Sequence, residues 1–89
     1  MDRIDAMQAF VAVADLRGFA PAARKLGLSP SGVTRLIAAL EDRLGARLVE
    51  RNTRRLYLTD TGTEFYSRAR AILADLKDAE SAVNATSLE

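Results

Sequence analysis

The chain is 89 residues long, 48% hydrophobic and 28% charged, and its 13 basic and 12 acidic residues leave a formal net charge of +1. With neither Cys nor His, it has no disulfide framework, no thiol nucleophile, no imidazole base and no zinc-finger ligand set. Its longest apolar run, residues 9–14, is too short to span a bilayer, and an N-terminus carrying Asp2 and Asp5 lacks the basic region of a secretory signal.

The first helix is expected over residues 4–16. Ile4, Met7, Val11 and Ala14 recur at three- and four-residue intervals with Phe10 alongside, which predicts one apolar stripe facing the core. Arg17-Gly18 ends it. A short second helix is expected over residues 20–26, with Pro21 suited to the first helical position and Gly27 to a left-handed stop. Ser29-Pro30 reads as an N-cap followed by Pro at the first position of a third helix, which closes at Leu44-Gly45. Its expected core face is Val33, Ile37, Leu40 and Leu44, with Leu36 at the edge. Two helices joined by a tight Gly-containing turn, the second capped and amphipathic, form a helix-turn-helix.

Past Gly45 the period changes. Leu48-Val49 and Leu56-Tyr57-Leu58 are strand candidates joined by the basic segment Arg51-Asn52-Thr53-Arg54-Arg55, with turn chemistry at Asn52-Thr53. A hairpin directly after such a third helix is a wing. Thr59 then caps a final helix running to about residue 84, with Asp60 at the positive end of its dipole. Phe65, Ala69, Ile72, Leu76, Ala79 and Val83 alternate at intervals of four and three, and Leu73 widens the stripe. At 1.5 Å per residue that helix is roughly 37 Å long, more than a small core requires. Residues 84–89 are polar and expected to fray, and Leu88-Glu89 has the look of an expression-vector scar.

The expected fold is therefore mainly α. A winged helix-turn-helix of three helices and a two-stranded β-hairpin occupies residues 1–58, a long dimerisation helix residues 59–86, and a disordered tail or vector remnant residues 87–89.

The net charge hides a strong asymmetry. Residues 1–16 carry −2, residues 17–55 carry +6 and residues 56–89 carry −3. A clustered positive field attracts phosphate at short range whatever the distant charges sum to. A charge excess alone is more often a solvated face of mixed ion pairs, so motif context has to decide.

That context comes from several stretches taken together: Met7-Gln8-Ala9-Phe10-Val11-Ala12-Val13-Ala14, Gly18-Phe19, Ala22-Ala23-Arg24-Lys25-Leu26-Gly27-Leu28-Ser29 and Val33-Thr34-Arg35-Leu36-Ile37. They continue with Leu40-Glu41-Asp42-Arg43-Leu44-Gly45, Leu48-Val49-Glu50-Arg51, Thr53-Arg54 and Leu58-Thr59-Asp60-Thr61-Gly62. Each piece is weak, but in this order and spacing they closely resemble the N-terminal DNA-binding domain of LysR-type transcriptional regulators. The resemblance implies a cytoplasmic, nucleoid-associated regulator that binds interrupted inverted repeats of double-stranded DNA as a dimer or tetramer. It also implies a larger C-terminal domain, absent from this chain, that senses a small-molecule effector. No cofactor, metal or membrane is implied. The sequence departs from the family at three places: Pro30-Ser31-Gly32 stands where many relatives carry Gln-Pro-Ala, Ala20 where a Ser or Thr caps the second helix, and Ala39 where a basic residue is common.

Stepping 100° per residue from Val33 turns Ser31, Thr34, Arg35, Ala38 and Asp42 outward. The N-terminal half of that face is polar and basic and its far end acidic, so the helix should enter a major groove by its N-terminal half. Arg35 is the leading base reader, because its fork matches guanine O6 and N7; Thr34 and Ser31 suit base edges or phosphate, and Pro30 a thymine methyl. Ser29 caps the helix first, and the amides of Ser31 and Gly32 beside it form a phosphate site. Arg24, Lys25 and Arg43 are backbone-contact candidates, Arg43 with the alternative of pairing with a carboxylate one turn away. In the wing, Arg54 aligns with the arginine that relatives insert into the minor groove. Arg51, Thr53 and Arg55 flank it as phosphate contacts; one of the arginines, with Arg51 the first choice, has the alternative of bracing the hairpin against Glu50 or Glu41.

Phe65 is expected to pack on the first helix. Ile72, Leu73, Leu76, Ala79 and Val83 lie too far along the last helix for so small a core, and a homodimer contact is the better reading. A winged helix that binds protein and not nucleic acid is the competing class, which the basic wing argues against. An enzyme is not expected, for want of a nucleophile–base pair, a glycine-rich phosphate loop or clustered carboxylates.

Overall fold

The computed structural model describes residues 2–51 and 55–87, with Arg51, Thr86 and Ser87 by backbone alone. The elements in order are α1 (Arg3–Leu16), α2 (Phe19–Leu26), α3 (Pro30–Leu44), β1 (Val49–Arg51), β2 (Leu56–Leu58) and α4 (Asp60–Ser87). The strands pair antiparallel, Val49 opposite Leu58, Glu50 opposite Tyr57 and Arg51 opposite Leu56. This is a winged helix-turn-helix followed by a long helix that gives the molecule extents of 53 × 25 × 22 Å. Among the described residues no helix is long and apolar enough to cross a membrane.

Local chemistry sets the helix boundaries. Asp2 Oδ1 accepts the Ile4 N–H at 3.0 Å to start α1. Its stop is Arg17, in the left-handed region at φ 57°, a conformation that costs a non-glycine residue about 1 kcal/mol. Gly27 and Gly45 close α2 and α3 at φ 71° and 68°. The second helix begins earlier than its sequence suggests. Its N-cap is Gly18, without a side-chain cap bond, so Pro21 is the third helical residue and Ala20 the second. Pro21 is tolerated there because the first-turn amides have no intrahelical acceptor to lose.

α1 packs against α2, α3 and α4 and is the centre of the head. Its buried residues are Ala6, Ala9, Phe10, Ala12 and Val13, whereas the expected stripe of Ile4, Met7, Val11 and Ala14 is only half-buried. The helix is apolar around most of its circumference, so periodicity alone does not select a face. The alanines win because they let neighbouring helices approach closely. In α3 the buried set is Val33, Leu36, Ile37 and Leu40. Leu44 shares their face but is 44% exposed, lining a shallow groove with Ala46, Leu48 and Phe65 in place of a packed layer. The final helix continues through Ser87, beyond the fraying expected from residue 84. Its Phe65 ring lies 5.6 Å from Phe10, tilted 51°, and Ala69 is fully buried.

Candidate nucleic-acid interface

The interface is built outward from the N-terminus of α3. Ser29 Oγ accepts the Gly32 N–H at 3.0 Å, and the Ser29 and Ser31 hydroxyls are hydrogen-bonded at 3.2 Å. Thr34 Oγ1 donates to the Pro30 carbonyl at 3.0 Å. These bonds refine the expected roles. Gly32 N–H is engaged by the cap, which leaves Ser31 N–H as the amide that can meet a phosphate. The Thr34 proton is likewise committed, so its side chain offers only lone pairs and a methyl group.

Pro30, Ser31, Arg35, Ala38 and Asp42 are exposed along one side of α3 and Thr34 is half-buried beside them, so the outward face is the expected one. Arg24 and Lys25 in the last turn of α2, and Arg43 in the last turn of α3, are exposed as well. Among the described residues none of these three, nor Arg35, is in an ion pair, so the alternative carboxylate partner for Arg43 is not found. Arg55 is exposed at the start of β2 and lines a cavity of about 630 Å³ with Arg17, Tyr57 and Thr63. Thr53, Arg54 and the side chain of Arg51 lie outside the described residues.

The wing is tied to α3 by Glu41. Glu41 Oε2 accepts the backbone N–H groups of Leu48 at 2.7 Å and Val49 at 3.2 Å. Arg47 Nε sits 3.7 Å from that oxygen and 3.8 Å from Glu50. Arg47 thus braces the hairpin against both carboxylates; whether Arg51 shares that role lies outside the described residues, which hold only its backbone. Thr59 locks the other side of the hairpin: its hydroxyl donates to the Arg47 carbonyl at 2.7 Å and accepts Gly62 N–H at 2.9 Å. A Cβ on Gly62 would lie 2.0 Å from the Leu48 carbonyl oxygen, so only glycine lets α4 pass so close under the wing. The signal for both was visible as Glu41 before a short strand and Gly62 in the first turn of a helix, where glycine is otherwise unfavourable.

Outward-facing polar side chains on a capped helix, with exposed cations nearby and a wing hydrogen-bonded to that helix, suit the reading of a polyanionic duplex. The description "Bacterial regulatory helix-turn-helix protein, lysR family" matches residues 4–63. The chain belongs to the LysR family. It is 45% identical over 78 residues, 88% of this chain and 26% of the other, to the uncharacterized HTH-type transcriptional regulator YhjC of Escherichia coli strain K12. A solved complex of the BenM DBD with benA site 1 DNA is similar at TM-score 0.89 and 31% identity, covering 98% of this chain and 97% of that one. The CbnR DBD–DNA complex gives TM-score 0.86 at 34% identity, covering 98% and 99%. This LysR-family chain spans about a quarter of the length of the curated relatives it matches.

On α4 the expected self-association residues fall into two groups. Ile72, Leu76 and Val83 are 44%, 37% and 67% exposed, and Ala79 is exposed with them. Leu73 is half-buried, on the side of the helix that continues from Ala69 toward the head. Tyr66 OH donates to Asp15 Oδ1 and receives Arg70 Nη1 at 3.5 Å, which fixes the direction in which α4 leaves the head. The Asp15 hydrogen bond, then partial burial, then the charge of the carboxylate hold the Tyr66 phenol above its ordinary value.

Proposed function

We propose that the chain is the DNA-reading end of a LysR-type transcription regulator, binding double-stranded operator DNA in the bacterial cytoplasm as a homodimer. The observation that carries this reading is Arg35, exposed and outside any ion pair among the described residues, on the N-terminal half of a capped α3 with basic residues on the adjoining helix. Arg35 reads guanine. Thr34, as an acceptor with a methyl group, suits the amino groups of cytosine and adenine or a thymine methyl. Ser31 and Pro30 complete the base-facing set, and Ser29 holds the helix end in place. Arg24, Lys25, Arg43, Arg51, Thr53 and Arg55 contact phosphates, while Arg54 enters the adjacent minor groove.

The exposed stripe of α4, with Leu73 at its margin, joins two copies, so that two-fold protein symmetry meets an interrupted inverted repeat. In the full-length regulator a further domain takes the small-molecule effector and extends assembly to tetramers.

The test is a salt titration of binding to operators selected from a randomised duplex pool. Affinity is expected to fall steeply with salt, with a log–log slope of about −0.9 per phosphate contact; a flat dependence overturns the reading. Arg35→Ala should cost roughly 1–3 kcal/mol on the selected site and relax preference at one base pair. Equal losses on every sequence would reduce Arg35 to a phosphate contact.

A further inference from the structure

Nine basic residues lie between positions 17 and 55, and the DNA-reading proposal gives a role to all but Arg17 and Arg47. Arg47 is held between Glu41 and Glu50. Arg17 is exposed and, among the described residues, in no ion pair. It is also the one non-glycine residue among them with positive φ. Glycine adopts that conformation freely, and any larger side chain makes it unfavourable. Helices α2 and α3 stop in the same conformation with Gly27 and Gly45. Strain of the kind Arg17 carries persists at functional sites.

The side chain borders a cavity of about 630 Å³ between the end of α1 and the wing. Ala14 and Arg17 line it from α1, and Arg55, Leu56, Tyr57 and Leu58 from the other side. Consecutive strand residues point to opposite faces, so a wall made of three in a row runs along the edge of β2. β1 pairs with the other edge. Arg55 stands at the end of β2 that meets the wing loop, with Arg17 on the facing wall, so two guanidinium groups border one open cleft. No carboxylate is among the described residues that line it. Asp15, two residues before Arg17, accepts the Tyr66 hydroxyl.

We infer that Arg17 is a further contact to the DNA backbone: with Arg55 it holds phosphates that pass alongside the wing, next to the minor groove assigned to Arg54. This widens the DNA-binding reading above, on which it rests, from α3 and the wing loop to the end of α1. Guanidinium forks match phosphate oxygens in pairs. Such contacts carry no sequence information, so Arg17 adds affinity and fixes the tilt of the head on the duplex. An acidic protein segment would satisfy the same cations. DNA is favoured because Arg55 continues directly into the basic segment of the wing.

The test is Arg17→Gly in the salt titration of selected operators. The log–log slope should become shallower by about 0.9, and binding at about 0.1 M salt should weaken by about three- to tenfold. Selected and scrambled duplexes should lose alike. Hydroxyl-radical footprints should lose protection at the flank of the wing and keep it in the major groove read by α3. The thermal midpoint should hold or rise, because glycine relieves the left-handed strain. Arg17→Lys should keep most of the slope, and Lys77→Ala, which removes a charge from distal α4, should leave it unchanged. An unchanged slope in Arg17→Gly, with operator binding intact, overturns the inference and spares the DNA reading. If a glutamate-rich decapeptide then binds the chain but not Arg17→Gly, the cleft belongs to protein. A flat salt dependence of the unsubstituted chain overturns both readings.

Discussion

The head and the distal half of α4 treat apolar side chains in opposite ways. Inside the head the buried helix residues include Ala6, Ala9, Ala12, Ala22 and Ala23, some of the smallest side chains available. On the distal helix the large Ile72, Leu76 and Val83 stand in solvent. If burial simply followed side-chain size, the arrangement would be reversed. In the head, small residues allow backbones to approach, and Phe10, Val13, Val33 and Leu48 fill what remains. On α4, Ile72 and Leu76 have no opposing layer among the described residues, and this is the surface that the proposed self-association would cover.

The contrast can be attacked from both ends. Gly62→Ala should be the most damaging change, since its Cβ would meet a backbone carbonyl and force α4 away from the wing. A loss of about 3 kcal/mol is expected in urea unfolding, at the upper end for overpacking. An unchanged midpoint would show that the wing and α4 can separate freely. Leu76→Asp should do the reverse, altering head stability by less than about 0.5 kcal/mol while shifting sedimentation toward the monomer. An unchanged sedimentation profile would remove the distal stripe from the interface.

The smallest effect is expected at the joint between the two regions. Tyr66 has its phenol pKa raised in the fold by Asp15, so the stability from this bond is fully present below the ordinary tyrosine range and is lost as pH rises through the raised value. Comparing thermal unfolding of the chain and of Tyr66→Phe across alkaline pH isolates it: the difference should shrink as the phenol ionises. A difference that stays constant through the alkaline range would mean the hydroxyl contributes by packing alone.

Much of the outward face of α3 is legible in the sequence. Ser29-Pro30 and Gly45 delimit α3 by local hydrogen-bonding rules, and once the ends are set the 100° step places Ser31, Arg35 and Ala38 outside. The basic segment is legible for the same reason, since charge is a property of the residue and not of its surroundings. The start of α2 is not legible in this way, because Pro21 suits the first helical position but stands third, after a Gly18 cap with no side-chain bond.

What the chain determines by itself is thus short-range: helix ends, the tight turn between α2 and α3, the period of α4 and the positive middle of the sequence. These depend on hydrogen bonds and spacings within a few residues. Only the tertiary structure decides which face of an all-round apolar α1 is buried, that Leu44 lines a shallow groove, that Arg47 braces Glu41 and Glu50, and that the Thr34 proton is committed to Pro30. Each of those outcomes depends on what stands opposite or within hydrogen-bond reach, and that is fixed by packing and not by sequence period.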